Sequence, residues 1–489
     1  MDFQPSGATA SSCLSKLRQA AALLSVALLG FVTACGGSGT GTGGGTGTTP
    51  PPPAANTTVQ INLGDAPADW MLAFSTSITS MSLTGNNGSV NVTNASTPIE
   101  MTQLMGTMEP LAMVSAPQGT YSSASITLGN CSVTYIDPTT KTMVQKTIQG
   151  PFSTTVTFSS PIAVGSTPMA FNFDLDLASS VAADNSGNLS FTPKFDFSMG
   201  TQGAGSSNDP ADGGMQQMMG TISNVTSGSF TMTPLQSGQS FDVTTNSATQ
   251  FQGIASGMGK MGSGMGVLVT ATLQPNGTLL ATRIASMMQS GGIMGGGIIT
   301  GITGQPATQL GMVVKNGAGA GMMASYFSQN VTVNLDSTTQ FAIEDSRIDL
   351  SNLPFTPTFD ANHIFVGQSV MPIDESGGMM SGGGMGGGMM GNPVGSIAAS
   401  NIYLEEQGFR GTTDTAIEPG TAASFTLTLD PQCAFTSLTG AGSILVEQQS
   451  ATVVEDNTSI AAGSIVRVHG LLFQNDGQWT MVASRIATR

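Results

Sequence analysis

The sequence predicts an all-β protein, in which an N-terminal β-sandwich is followed by about three small barrel-like β modules. Short apolar segments alternate with polar residues at the two-residue period of strands. Clusters of Gly, Asn, Asp and Pro separate these segments, as in turns. Charged residues make up only 9% of the chain, and Ser, Thr, Asn and Gln carry the remaining polarity. Within the folded part, residues 99–113 are the one stretch expected to hold a short helix.

The sandwich is expected over residues 57–200. Its first strand is indicated by Val59, Ile61 and Leu63, which alternate with polar residues as in a half-buried strand. The same alternation recurs in segments that turns separate, at residues 74–83, 123–128, 171–177 and 189–197. Residues 201–217 are rich in Gly, Ser, Asn and Asp and are interpreted as a linker.

A degenerate repeat follows the linker. The first two copies share Ser-Ala-Thr-Gln-Phe at 247–251 and Ser-Thr-Thr-Gln-Phe at 337–341. Ala-Thr-Arg-Ile at 281–284 returns near the end of the chain as Ala-Ser-Arg-Ile at 483–486. The predicted modules span residues 218–290, 297–405 with a Gly/Met-rich insertion at 376–391, and 408–489. Because the copies are spaced irregularly, they are expected to behave as separate beads rather than as a solenoid.

The N-terminus has the organisation of an export signal. Lys16 and Arg18 precede an apolar run from Ala20 to Val32, and small residues follow. This run is shorter than the roughly twenty residues that span a bilayer, which favours a helical signal segment over residues 1–34. Residues 35–56 then form a tether, with a flexible Gly/Thr part and a stiffer Pro-rich end.

The end of this segment, Val32-Thr33-Ala34-Cys35, resembles the signal of a bacterial lipoprotein. That resemblance implies a mature chain that begins at Cys35, with acyl chains such as palmitate on the cysteine. Gly36 stands where inner-membrane lipoproteins have Asp, so the resemblance favours the outer membrane, on its periplasmic side or at the cell surface. A cleaved signal without lipid is the alternative.

A second resemblance covers about residues 57–200. The leading strand, the turn Asp65-Ala66-Pro67-Ala68-Asp69, the segment Pro117-Gln118-Gly119-Thr120-Tyr121 and the alternating strand Phe171–Leu177 are similar to a bacterial lipoprotein domain of unknown function. The modules that follow resemble small β-barrel repeats of exported bacterial proteins, also of unknown function. These resemblances imply a shape and a location but no chemistry.

The charge excludes one class of partner. The formal net charge is −16, and the 13 basic residues are scattered along the chain. Nucleic-acid binding needs clustered Lys and Arg to replace phosphate counterions, so it is rejected. The acidity would also repel an anionic membrane surface, so membrane attachment is expected to depend on the lipid. An envelope protein or polysaccharide is a possible further partner.

Methionine is the most unusual residue of the sequence, with 30 copies that gather in Gly-rich segments. Thioethers are soft ligands that select Cu(I), so a copper-binding or methionine-sulfoxide-buffering loop is the alternative function. The other interpretation is a low-complexity loop with Met as an oxidisable filler. The densest run contains Met379, Met380, Met385, Met389 and Met390. Three other runs contain Met215, Met218 and Met219, then Met258, Met261 and Met265, then Met287, Met288 and Met294.

Three pairs of residues remain to be interpreted. Asp65 and Asp69 could bind calcium, but an Asx-turn that starts the next strand is favoured, and Asp174 is expected on a solvated strand face together with Asp176. Once the signal is removed and Cys35 is lipidated, Cys131 and Cys433 remain. Two separately buried thiols are favoured over a disulfide.

Catalytic motifs are absent from the sequence. It contains no Gly-x-Ser-x-Gly, no Cys-x-x-Cys and only two His, which stand in strand-like segments. Gly382, Gly384 and Gly387 match Gly-x-Gly-x-x-Gly, but without the strand and helix that this motif requires. The sequence therefore predicts a non-enzymatic envelope lipoprotein without a cofactor. A carboxylate pair that meets only in the fold, as in glycosidases, stays open as a further alternative.

Overall fold

The computed structural model places the described residues in one compact unit, Ala54–Arg489. The described residues are 55–66, 68–93, 96–104, 108–137, 140, 142–184, 187–200, 214–234, 239–252, 257–288, 293–315, 326–343, 348–374, 395–454 and 457–488. Residues 1–54 and the Gly/Met-rich insertion at 376–391 lie outside them. The helical signal segment therefore stays a prediction.

The described N-terminal region is built almost entirely of strands. They are β1 (Asn56–Ala66), β2 (Met71–Gly85), β3 (Gly88–Thr93), β4 (Thr97–Glu100), β5 (Met108–Pro117), β6 (Gly119–Leu128), β7 (Cys131–Ile136), β8 (Met143–Ile148), β9 (Phe152–Val164), β10 (Met169–Asp176), β11 (Val181–Ala183), β12 (Leu189–Phe191) and β13 (Phe195–Gly200), with a single-turn helix α1 (Leu177–Ser180) after β10. The predicted all-β class is confirmed.

Two sheets pack face to face in this region. One has the order β13-β10-β1-β5, and the other has the order β8-β7-β2-β6-β9 with β3 and β4 paired to β2. Val59 and Ile61 of β1 share a buried apolar cluster with Phe74 of β2 and Phe171 of β10. The alternation that predicted β1, β2 and β10 therefore marks the residues that face the core.

The opposite face of the four-stranded sheet is also covered, which the alternation did not indicate. Gln60, Asn62 and Asn172 are at most 2% exposed. Gln60 Nε2 donates to Asn62 Oδ1 at 2.6 Å, and Asn62 Nδ2 donates to Asn172 Oδ1 at 2.8 Å. The expectation of a half-buried first strand is therefore wrong. The face expected to be solvated is buried at Asn172 and only half-exposed at Asp174 and Asp176. Hydrogen bonds along this amide row satisfy most of its buried polar groups, although Gln60 Oε1 has no partner among the described residues.

The stretch at residues 99–113 holds a short 3-10 helix as expected, but it is not the one helical stretch, because α1 follows β10. A single 3-10 turn spans Met101–Leu104, and the chain then enters strand β5. β5 pairs antiparallel with β1 over Asn56–Gly64. Pairing at this sheet edge satisfies the backbone of β5, so tertiary context overrides the local pattern.

The second half of the unit contains three further groups of strands. They are β14 (Gly214–Ser223), β15 (Ser229–Pro234), β16 (Phe241–Thr244), β17 (Gln250–Gln252), β18 (Gly266–Leu273) and β19 (Leu279–Met288); β20 (Ile293–Met294), β21 (Gly297–Thr303), β22 (Gln309–Val314), β23 (Asn330–Asn334), β24 (Gln340–Ile343), β25 (Ser369–Asp374), β26 (Ser396–Ala398) and β27 (Asn401–Leu404); and β28 (Gln407–Thr413), β29 (Ala423–Leu429), β30 (Ser443–Val454), β31 (Ile465–Asn475) and β32 (Gln478–Ala487), with helix α2 (Ala434–Thr439) between β29 and β30.

The three groups share one strand arrangement. The last group is a closed barrel in the order β28-β29-β30-β32-β31. In the first group, the additional pairing of β16 with β19 joins the ends of the equivalent five-strand path. In the second group the last strand is interrupted, so that β26 pairs with β23 and β27 pairs with β24. The barrel-like modules that the repeat predicted are therefore one topology used three times.

Each module has a buried threonine at an equivalent position, with the same two hydrogen bonds. Its hydroxyl accepts a hydrogen bond from the backbone N–H three residues earlier, at 2.8–3.0 Å. The hydroxyl also donates to an alanine carbonyl at 2.7–2.8 Å. This alanine lies on the last strand of the first and third modules and at the interruption between β26 and β27 in the second. The three residues are Thr249, Thr339 and Thr452. Only the first two stand in the Thr-Gln-Phe motif, so the third copy, whose sequence is Thr452-Val453-Val454, was missed.

The modules are not separate beads. Leu471 and Phe473 of the third module pack in the core of the second. Leu72 of the sandwich, Val313 of the second module and Ala434 of the third form one buried cluster. A further cluster joins the first and second modules. Shared apolar contacts of this kind hold the four parts in one unit, because separating them would expose buried apolar surface.

Candidate functional site

A pocket of about 310 Å³ opens on the seven-stranded sheet of the sandwich. It lies where strands β2, β4, β7 and β8 meet the second module. Its lining consists mainly of hydroxyl and amide side chains, with one aromatic ring. The lining residues are Ser75, Thr76, Ser77, Pro98, Asn130, Cys131, Ser132, Thr147 and Phe327. We call this the hydroxyl pocket.

Strand register places three of its hydroxyls side by side. Ser75 of β2 is paired with Ser132 of β7, and Ser132 is paired with Thr147 of β8. Paired residues of antiparallel strands point to the same face, with Cβ atoms about 5 Å apart. Ser132 Oγ accepts from Gln145 Nε2 at 3.0 Å. Sequence reasoning missed this row, because hydroxyls on three separate strands become neighbours only when the register is known.

The second module supplies one wall of the pocket. Thr134 Oγ1 and Gln145 Nε2 both donate to the carbonyl oxygen of Ser328, at 2.5 and 2.9 Å. Ser328 has φ of +62°, a left-handed conformation that non-glycine residues adopt rarely. These two hydrogen bonds hold the turn that places Phe327 against the pocket. The wall is therefore built by contact between two domains.

The thiol in the pocket wall is unreactive. Cys131 is fully buried, and burial raises the pKa of its thiol to about 12. Burial also raises the pKa of Cys433, to about 11. Both cysteines are free, so the expectation of two separately buried thiols is confirmed. A thiol with so high a pKa carries almost no thiolate at neutral pH.

A group of buried and half-buried charged residues lies where the sandwich meets the second and third modules. Asp65 stands near the end of β1 and is 1% exposed. The charges that act on it come from Asp174 and Glu100 of the sandwich, Lys315 of the second module and Arg467 of the third. Three parts of the chain therefore contribute to one electrostatic network. We call it the ionic junction.

Asp65 is buried in the junction, and neither of its carboxylate oxygens has a hydrogen-bond partner among the described residues. Burial, followed by repulsion from Asp174, raises its pKa well above the usual range, although Arg467 opposes the rise. The favoured Asx-turn is therefore wrong for Asp65, whose side chain caps no turn. Glu100 differs because its carboxylate accepts from Phe74 N at 2.6 Å and from Thr102 Oγ1.

Asp69 lies at the contact between the sandwich and helix α2. Its carbonyl oxygen accepts a hydrogen bond from Ala434 N at 2.6 Å. Burial raises the pKa of its side chain to about 6, against the opposing effect of Arg410 and Arg467. Burial lowers the pKa of Arg467 in turn. Burial therefore disfavours the charged form of both Asp69 and Arg467.

One further polar cluster contains the residue types of a catalytic triad. His469 Nδ1 lies 2.9 Å from Glu406 Oε2, and Ser484 Oγ donates to the same oxygen. A nucleophilic serine donates instead to the histidine, which then removes the proton. Here Glu406 Oε2 contacts both His469 and Ser484. The cluster therefore links strands β31 and β32 to Glu406. His469 lies in a strand as expected, whereas His363 lies in a turn beside Asp360.

The other predicted sites have different outcomes. Cys35 and the dense run Met379, Met380, Met385, Met389 and Met390 lie outside the described residues. Met218 and Met261, from two other runs, are buried in the core of the first module. The assignment to a loop is wrong for Met218, which lies in β14, whereas Met261 lies in a loop before β18. Met287, Met288 and Met294 are placed in strands. Apolar packing accounts for Met218 and Met261 without a metal.

Groups of His, Cys, Asp and Glu side chains that could hold a metal ion do not occur among the described residues. The calcium alternative for Asp65 and Asp69 therefore has no support in the described part of the chain. Within that same part, none of the helices has the length and apolar character needed to cross a membrane.

Comparison with known proteins gives two family matches. Residues 56–193 match a family described as a domain of unknown function (DUF4382). Residues 219–285 match a second, also described as a domain of unknown function (DUF5666). The chain is thus similar to β-rich domains of unknown function in its sandwich and its first module. No curated protein compared with the chain matches it.

Six chains of solved structures match the chain. One of them is a multidomain protein with nucleic acid binding domains from Streptococcus pneumoniae TIGR4. The similarity has 10% sequence identity and a TM-score of 0.10, and it covers 56% of this chain and 73% of that one. A TM-score this low carries no argument about fold or function.

Proposed function

We propose that this protein is a non-enzymatic lipoprotein of the bacterial envelope, held on the outer membrane by a lipid on Cys35. The observation that carries the proposal is the order of segments along the chain. A basic and apolar segment ends at Cys35, a Gly/Pro-rich tether follows, and one compact unit begins at Ala54. This order suits a folded body that is displayed at a distance from a membrane.

A binding or structural role agrees with the organisation of the compact unit. Buried contacts hold the sandwich and the modules together, so they present a fixed surface. The hydroxyl pocket lies at one of these contacts. The bonding of Ser484 and His469 to one carboxylate favours a structural role for that cluster over a catalytic one. An envelope polysaccharide or protein is the partner class that fits this location.

The anchor is tested by cell fractionation. We expect a Cys35→Ser variant to leave the membrane fraction, because it cannot receive the lipid. Cys13→Ser is the matched control, since Cys13 lies inside the signal segment that is removed. Membrane association that is unchanged by Cys35→Ser would refute the anchor. Loss of association in both variants would indicate a defect of export instead.

The Gly/Met-rich insertion supports a second candidate function. Met379, Met380, Met385, Met389 and Met390 stand among glycines within residues 376–391, and thioethers suit Cu(I). Such a loop would bind copper in the periplasm or act as a methionine-sulfoxide buffer. Replacing these five residues by Leu keeps the length and apolar character of the loop. A Cu(I) titration in which the Leu variant binds as much copper as the natural protein would reject this function.

A further inference from the structure

The chemistry of the hydroxyl pocket limits what it can bind. None of its lining residues carries an ionised side chain, because Cys131 stays a neutral thiol. An ion in the pocket would lose hydration without gaining a counter-charge, which is costly. The net charge of −16 opposes anions further. The pocket therefore suits a neutral ligand.

The same residues require a ligand rich in hydrogen-bonding groups. The hydroxyls of Ser75, Ser77 and Thr147 make no hydrogen bond within the described part of the chain, and they line the pocket. Each hydroxyl can donate once and accept twice. Ser75 and Thr147 flank Ser132 across neighbouring strands, so one small ligand can reach several of them. Asn130 adds an amide, whose Oδ1 already accepts from Gly150 N at 2.8 Å.

The lining of the pocket also has an apolar part, which suits a ring with one apolar face. Pro98 is exposed there, whereas Phe327 is 4% exposed and belongs mainly to the core of the second module. The volume of about 310 Å³ is near the lower end of the roughly 300–1,000 Å³ found for small-molecule sites. Sugar rings combine hydroxyls around the edge with apolar C–H faces. A pocket of this size has room for a short sugar rather than for a long chain.

We propose that the hydroxyl pocket binds a neutral sugar unit, with hydrogen bonds from Ser75, Ser132 and Thr147 and with Pro98 against the ring. This inference deepens the proposed binding role by naming the class of ligand. It places the contact at the boundary between sandwich and second module, so the fixed packing of these two domains preorganises the site. A polysaccharide of the envelope would supply such a unit.

The experiment uses the full-length protein, extracted in a detergent that has no sugar headgroup. The probes are glucose, galactose, N-acetylglucosamine, cellobiose and maltose, and binding is measured by saturation-transfer NMR and then by calorimetry. We expect at least one probe to bind the natural protein. Thr147→Val, which removes one exposed hydroxyl at equal size, should weaken that binding about 3- to 10-fold, as for one lost hydrogen bond.

Two further variants make the outcome decisive. Thr147→Trp fills the pocket from an exposed position and should abolish sugar binding. Thr155→Val on β9 is the control, because Thr155 is also exposed but lies outside the pocket lining, and it should leave sugar binding unchanged. Thermal melting verifies that each variant is folded. Absence of binding by every probe, or equal binding by natural protein and Thr147→Trp, would overturn the proposal. Either result leaves membrane anchoring intact, since Cys35→Ser fractionation tests that separately.

Discussion

Asp69 lies where the sandwich contacts helix α2 of the third module, and substituting it tests how the burial of a carboxylate affects stability. Burial raises its pKa from 3.8 to about 6, so folding favours the protonated form. An Asp69→Asn variant keeps the size of the side chain and leaves the backbone carbonyl free to accept from Ala434 N. The substitution removes the charge but not the helix contact.

The expected size of the effect follows from the pKa. A difference between 3.8 and about 6, at 1.36 kcal/mol per unit, corresponds to about 3 kcal/mol. Because the folded pKa is the higher one, the folded state binds the proton more tightly. The free energy of unfolding of the natural protein therefore falls as pH rises from 3.8 towards 6, and the loss is complete above that range. Asp69→Asn should escape this loss.

The assay is urea unfolding at pH 4 and pH 8, followed by tryptophan fluorescence. Trp70 is next to the substituted residue and packs on Tyr135 at 5.4 Å, so its emission reports on this region. We expect Asp69→Asn to be more stable than the natural protein by up to about 3 kcal/mol at pH 8 and to be nearly equal at pH 4.

Comparison with Asp196→Asn isolates the effect of burial, because Asp196 is exposed on β13 and its substitution should change little at either pH. Burial also raises the pKa of Glu109, to about 7, so the test rests on the difference between variants and not on the pH profile of one protein. A lower stability of Asp69→Asn at pH 8 would refute the reasoning. It would mean that attraction to Arg410 and Arg467 outweighs burial.

Two further predictions concern the modules. Thr339→Val should lower the free energy of unfolding by about 2 kcal/mol, since two buried hydrogen bonds are lost. Thr339→Ser keeps the hydroxyl and should keep most of the stability. Equal losses of stability for the two variants in chemical denaturation would show that the hydroxyl does not stabilise the module. Gly297→Ala should lower stability by about 1–3 kcal/mol, because a Cβ there would overlap the carbonyl oxygen of Val313. Gly301→Ala in the same strand meets open space and should be tolerated, so equal melting temperatures for the two variants would contradict this account.

The sequence predicted strands well where one face packs on a core. Val59 and Ile61 alternate with polar residues, and both face the sandwich core as expected. Gln60 and Asn62 have the same pattern as solvated residues, yet they are buried. A polar side chain looks the same in sequence whether water or another domain covers it. Burial between domains therefore could not be predicted from alternation.

The candidate site was less predictable than the strands. Ser75, Ser132 and Thr147 lie far apart in sequence and meet only through the register of three strands. Asp65 and Lys315 interact because two domains pack against each other. A single residue of a common type does not indicate which distant residue it will contact in the fold. The buried Thr249 and Thr339 were visible as a repeated motif, because each module needs the same hydrogen bonds at the same turn.

The central proposal is the lipid on Cys35, and mass spectrometry of the protein extracted from membranes tests it most directly. The proposal predicts an N-terminal peptide that begins at Cys35, lacks residues 1–34 and carries the added mass of acyl chains. An unmodified peptide that begins at Cys35 would show export without an anchor. An intact peptide containing Lys16 and Arg18, or cleavage at another residue, would contradict the lipoprotein signal itself.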